Sequence, residues 1–82
     1  MLEPYEFIKK FLELNGFAKQ VNTQQLVADI FRKNDNYVFV YDSYYTIRNY
    51  EGDVSSDNLN IYWLIGYLTY YNIIDKNYKL PE

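Results

Sequence analysis

Beyond Asn34-Asp35-Asn36 the apolar residues stop recurring at helical spacing and begin to alternate, through Tyr37-Val38-Phe39-Val40-Tyr41 and again through Tyr44-Tyr45-Thr46-Ile47-Arg48-Asn49-Tyr50. A period of two sends successive side chains to opposite faces of a strand, so this stretch predicts a β-hairpin turning near Asp42-Ser43. No Asn-Gly or Asp-Gly pair dictates the type of turn.

On either side the spacing is helical. Glu3 to Asn15 predicts a first helix, with Pro4 in its first turn, Phe7, Ile8, Phe11 and Leu12 on one face, Glu6 and Lys10 paired, and Asn15-Gly16 as the stop, Phe17 folding back on the last turn. Asn22 and Gln25 read as a capping box for a second helix, about Thr23 to Lys33, with Leu26, Val27, Ile30 and Phe31 inward and Asp29 paired to Lys33 outside. Glu51-Gly52-Asp53-Val54-Ser55-Ser56 reads as a loop, and Ser56 with Asp57 as the start of a third helix to about Tyr71, apolar nearly all round. Asn72 to Leu80 has the composition of a short strand. The expectation is one α+β domain over 1–82: two N-terminal helices, a β-hairpin, a third apolar helix and a short C-terminal strand.

The longest uncharged stretch, Asn58 to Ile74, is near the lower limit for a membrane span, but it contains Asn58, Asn60, Thr69 and Asn72 and has acidic flanks, so it reads as a buried helix. Met1-Leu2-Glu3-Pro4 has no basic region ahead of an apolar run, so no leader is expected.

For chemistry the chain is poorly equipped. It has no cysteine and no histidine, which removes disulfides, thiolate nucleophiles, zinc-thiolate sites and the commonest general base. Asp42, Glu51, Asp53 and Asp57 sit beside predicted turns, where solvated carboxylates are ordinary. Counted from Glu51, a calcium loop fails at its sixth position, Ser56, and its twelfth, Tyr62, while glycines only at 16, 52 and 66 rule out a glycine-rich phosphate loop. A non-enzymatic cytoplasmic protein without metal or cofactor is expected.

Binding is the remaining class. Between Asp35 and Asp57, the acids Asp35, Asp42, Glu51, Asp53 and Asp57 face a single Arg48 and are interleaved with tyrosines, in a chain of net charge −3 with eleven tyrosines. Tyrosine offers large contact area at low rotamer cost together with a hydroxyl that stays wet. Tyr41, Asp42, Tyr44, Tyr45, Tyr50, Glu51 and Asp53 are therefore the candidate contact set for a protein partner with a basic surface, such as one that normally holds nucleic acid. Richness in Asn, Tyr, Ile and Lys suggests an AT-rich coding genome, and a compact domain of this composition is what many phage and mobile-element accessory proteins look like; an inhibitor or adaptor acting in the manner of anti-CRISPR proteins is the leading expectation. The alternative is a small winged-helix regulator contacting DNA through Arg32, Lys33, Lys76 and Lys79, which the sequence pI of about 4.8 opposes. A third option pairs two copies through Trp63 and Tyr67.

Overall fold

A computed structural model describes residues 2–23 and 25–82. Met1, in the stretch read for a leader, and Gln24, inside the expected second helix, lie outside the described residues. The order of elements is α1 (Pro4–Leu14), β1 (Ala18–Lys19), β2 (Asp29–Lys33), β3 (Asn36–Val40), β4 (Tyr45–Asn49), β5 (Gly52–Ser55) and α2 (Ile61–Tyr70). All five strands form one antiparallel meander in chain order.

α1 begins at Pro4, whose missing N–H is no loss in a first turn, and ends at Asn15 and Gly16, with Gly16 at φ +95° and the Phe17 amide donating to the Leu12 carbonyl at 2.9 Å. Its i,i+3 pair, Glu6 with Lys9 at 3.3 Å, replaces the expected partnership with Lys10. The hairpin is present as β3 and β4, with Val40 opposite Tyr45 and the Tyr41 amide donating to the Tyr44 carbonyl at 2.9 Å.

The expected second helix is absent, and its C-terminal half is β2. Asn22 ties the preceding loop down locally, accepting from the Leu26 amide at 3.0 Å and donating to the Leu26 and Ala28 carbonyls. Gln25, with φ at 56°, departs from helical backbone, and Leu26 and Val27 point to solvent. From Asp29 the chain pairs along the whole of β3, Asp29 opposite Val40 to Lys33 opposite Asn36, through a two-residue turn whose Asn34 takes the left-handed conformation at φ 56°. A helix there would have left β3 with an open edge in the middle of the molecule. Satisfying that row of backbone groups outweighs a weak local helical preference, and the Asp29–Lys33 pair goes with the helix.

Three further expectations are corrected. The Glu51–Ser56 link is a tight Tyr50–Glu51 turn followed by β5, with Gly52 at φ +123° entering the strand opposite Asn49. The last helix starts at Ile61, four residues after Asp57, because the Asn60 side chain supplies the cap by accepting from the Tyr62 and Trp63 amides. Ser56 instead braces β4, its amide donating to the Tyr45 carbonyl and its hydroxyl accepting from the Tyr45 amide at 3.0 Å. The C-terminal segment is not a strand: Ile74 plugs the core, Tyr78 meets the Phe11 ring edge-on at 6.0 Å, and Asn15 exchanges two hydrogen bonds with the backbone of Lys79.

The core lies on one face of the sheet. Phe31, Val38, Val40, Tyr45 and Ile47 pack there against Ile8, Phe11 and Leu12 of α1 and Leu64 and Leu68 of α2. The opposite face carries Ile30, Arg32, Tyr37, Phe39, Thr46, Arg48, Asp53 and Ser55, with Arg32 over Tyr37 and Arg48 over Phe39. The result is a two-layer α+β domain of two helices on a five-stranded sheet.

Candidate functional site

Helical spacing places Trp63, Tyr67 and Tyr71 on one line, four residues apart, along α2 and its C-cap. Their rings form a continuous ladder: Tyr45 to Trp63 at 5.9 Å, Trp63 to Tyr67 at 5.7 Å, Tyr67 to Tyr71 at 4.8 Å, with Tyr70 edge-on to Tyr71. Leu64 and Leu68 face the sheet, so the ladder runs along the side of the helix; Trp63 is 40% and Tyr71 51% exposed.

The ladder lies beside the β4–β5 margin of the sheet. At one end Trp63 shares a recess of about 230 Å³ with Ser55, Ser56, Asp57, Asn58 and Asn60. At the other, Tyr71 lines a recess of about 220 Å³ with Asn49, Tyr50 and Glu51. Between them the Tyr67 hydroxyl accepts from the Asn49 side chain at 3.4 Å. No Lys or Arg occurs between Asn49 and Asp75, a stretch holding Glu51, Asp53, Asp57 and Asp75. On this flank of the molecule the ladder thus has Asp57 in the recess at one end and Glu51 in the recess at the other, where Asn34 and Asn36 also contribute; Lys33 and Lys76 line the neighbouring recess.

The seven candidate contact residues do not form one patch. Tyr45 is fully buried, its hydroxyl donating to the Asn60 carbonyl at 2.6 Å. Tyr41 and Tyr44 stack on each other at 4.5 Å in the β3–β4 turn, beside exposed Asp42. Tyr50, 89% exposed, and Glu51 lie at the opposite end of β4, about 20 Å from Tyr44 at strand rise. Asp53 faces the open side of the sheet and accepts two 2.9 Å bonds from the Arg48 guanidinium, which holds its carboxyl below the usual range. Tyr50 and Glu51 therefore border the flank, together with Trp63 and Tyr67, while Asp53 faces the other side of the sheet and Tyr41, Asp42 and Tyr44 stand apart. Tyr71 was missed, although its i+4 and i+8 spacing from Tyr67 and Trp63 is legible in the sequence.

Of the four cations of the DNA-binding alternative, Lys33, Lys76 and Lys79 are linked through Asn15 and a shared recess, and Arg32 stands apart on the other face of the sheet. Arg32 lies on the open sheet face, with its Nε donating to the Asn34 carbonyl, whereas Lys33 is on the helix side and donates to the Asn15 carbonyl at 3.1 Å. Lys76 shares a recess with Lys33, and Lys79 is held at the end of α1. The described residues form two helices with a meander between them, an order of elements that does not match the winged-helix plan.

The densest polar cluster joins α1 to β2. Asp29 accepts from the Tyr5 hydroxyl at 2.6 Å and Lys9 at 3.1 Å, with Lys19 at 3.6 Å. The Tyr5 bond, aided by Lys9, holds the Asp29 carboxyl below its ordinary value, and the same bond raises the Tyr5 hydroxyl. Because the carboxylate is favoured in the folded state, its stabilising effect is present above the ordinary carboxylate range and is lost as pH falls through the lowered folded value. Urea midpoints taken from pH 6 down to pH 2 should therefore fall more steeply for the wild type than for Asp29→Asn.

Among the described residues no group of acids is arranged to hold a metal ion, and no helix is long and apolar enough to cross a membrane. No protein-family model, no curated protein and no solved structure matches the chain.

Proposed function

We propose that this is a non-enzymatic protein-binding domain that lays its acidic, aromatic flank on a basic site of another protein, acting as an inhibitor or adaptor. The observation that carries the reading is the Trp63–Tyr67–Tyr71 ladder, exposed at Trp63 and Tyr71, with Glu51 lining the recess at one end and Asp57 the recess at the other. Aromatic rings supply the desolvated contact area of an interface, while rim charges govern encounter and orientation. Rings with a carboxylate at each end favour a partner that brings cations, by ion pairing at the ends and by cation–π contact in the middle.

The test is affinity capture from a bacterial lysate before and after nuclease treatment, repeated with Glu51→Lys/Asp57→Lys and with Tyr71→Ala. A stoichiometric protein that survives nuclease should be captured by the wild type. The double reversal should slow its association by roughly tenfold and flatten its salt dependence, and Tyr71→Ala should quicken dissociation. Capture that depends on nucleic acid, or that is indifferent to all three changes, would refute the reading.

A further inference from the structure

Resting on that reading, we infer that the flank binds an extended segment of the partner as a sixth strand on β5, with Lys or Arg at alternate positions of that segment lying over the α2 ladder. The meander leaves β5 with β4 as its single neighbour. Gly52, Asp53 and Ser55 are exposed, and among the described residues no backbone group outside the β4–β5 pairing bonds to this strand. An edge of this kind is a template for another chain, and proteins that must avoid pairing guard it with a very short strand, charged side chains, proline or a bulge; β5, at four residues, is short but open. Gly52–Ser55 contains no lysine or proline, its register with β4 is unbroken, and the charge of Asp53 is turned onto Arg48 across the open face.

The geometry below the edge matches an added strand. Val54, half-buried, points to the helix side, whereas Asp53 and Ser55 point to the open side, and a sixth strand would alternate in the same way. Its helix-side residues would recur about every 6.6 Å, and residues four apart on a helix recur about every 6 Å along the axis. The two spacings are commensurate, so alternate side chains of an added strand can be matched to successive rings, beginning at Trp63, which shares a recess with Ser55 of β5. Rings flanked by Glu51 and Asp57 select long cationic side chains at those positions, since guanidinium or ammonium groups stack on aromatic faces while their ends reach the carboxylates. Main-chain bonds would supply affinity and the alternate cations specificity. A second copy of this chain is a poor occupant, because its own β5 brings Asp53 and the adjacent Glu51 and no lysine, and its other edge, β1, is two residues long.

The probe is a synthetic peptide of about seven residues alternating arginine with threonine, compared with a peptide of the same composition whose arginines are contiguous and with one carrying glutamate for arginine. Binding is read by fluorescence of Trp63, the one tryptophan in the chain, and by amide exchange at Gly52–Ser55. The alternating peptide should bind at least about tenfold more tightly than either control, protect outward amides of β5, and lose its advantage with Tyr71→Ala or when its alternate backbone nitrogens are methylated. Equal binding of both arginine peptides without protection of β5 would overturn strand addition while leaving the acidic flank as a docking surface. Failure of every arginine peptide to bind, or binding unchanged by Glu51→Lys/Asp57→Lys, would overturn the docking surface itself. Protection of β5 that grows with protein concentration and needs no peptide would assign the edge to a second copy.

Discussion

Tyr45→Ala is expected to remove about 3–5 kcal/mol of stability, the range for truncating a large aromatic residue in a core, which is a large part of what a domain of this size has. The ring is completely buried between β4 and α2, touches Trp63, and ends in a hydroxyl that donates to the carbonyl of Asn60, the residue that caps α2. Cavity and lost cap brace therefore act together, and the urea midpoint should drop severely, with much of the variant unfolded at room temperature. Tyr45→Phe isolates the hydroxyl and should cost about 1–2 kcal/mol, because it leaves the Asn60 carbonyl without that donor. Burial also pushes the Tyr45 hydroxyl up to about 12. Between pH 10 and pH 12 the unfolded chain then gives up a proton that the folded chain keeps, so stability falls as pH rises, by about 3 kcal/mol at most. Alkaline unfolding curves of the wild type and Tyr45→Phe should converge over that window. Loss of partner binding in Tyr45→Ala would report unfolding and not a contact.

Phe11→Ala should cost a similar amount, about 3–5 kcal/mol, for a different reason. Phe11 is fully buried at the centre of α1 and is the ring against which Tyr78 packs. The C-terminal segment has no strand pairing to hold it; its attachments are Ile74 in the core, Tyr78 on Phe11, and the two bonds between Asn15 and the Lys79 backbone. Removing the ring should therefore loosen the tail as well as α1. Amide exchange at Lys79, whose N–H donates to Asn15 Oδ1, should accelerate to a greater extent than exchange at Val38 in the middle of the sheet.

Elements whose signals are contained within a few residues were readable. Pro4, the apolar stripe of Ile8, Phe11 and Leu12, and Asn15-Gly16 together specify α1 without reference to anything else in the chain. Alternation through 37–50 specifies the central hairpin in the same way. Tyr50, Glu51 and Asp53 stand in the contact set expected from composition, and Trp63 and Tyr67 in the expected pairing of two copies. What was not readable is that Tyr50, Glu51, Trp63 and Tyr67 border one flank with Asp53 on the other face of the sheet, or that Tyr41, Asp42 and Tyr44 lie at the far end of the sheet from Tyr50 and Glu51.

The errors have a common cause. Leu26, Val27, Ile30 and Phe31 fit a helical face as well as they fit a loop followed by a strand, and local propensity separates the two by only a fraction of a kcal/mol per residue. Asp29–Lys33 became β2 because β3 needed a neighbour, and β5 formed because β4 did. Ser56 and Asp57 are as good a cap as Asn60 in isolation, but Ser56 is drawn into bonds with Tyr45 at the end of β4.

The amino-acid sequence alone determined a small aromatic domain with one N-terminal helix, a central hairpin, no thiol or imidazole chemistry, and a long acidic stretch free of cations. Tertiary structure decided which tyrosine of the adjacent pair Tyr44 and Tyr45 is the core residue, that the sheet has five strands, and that an unpaired edge lies beside a ladder of rings. Periodicity and turn chemistry are settled by neighbours in the chain, whereas strand pairing and the choice of buried face are settled by backbone groups and apolar surfaces that meet only once the chain has folded.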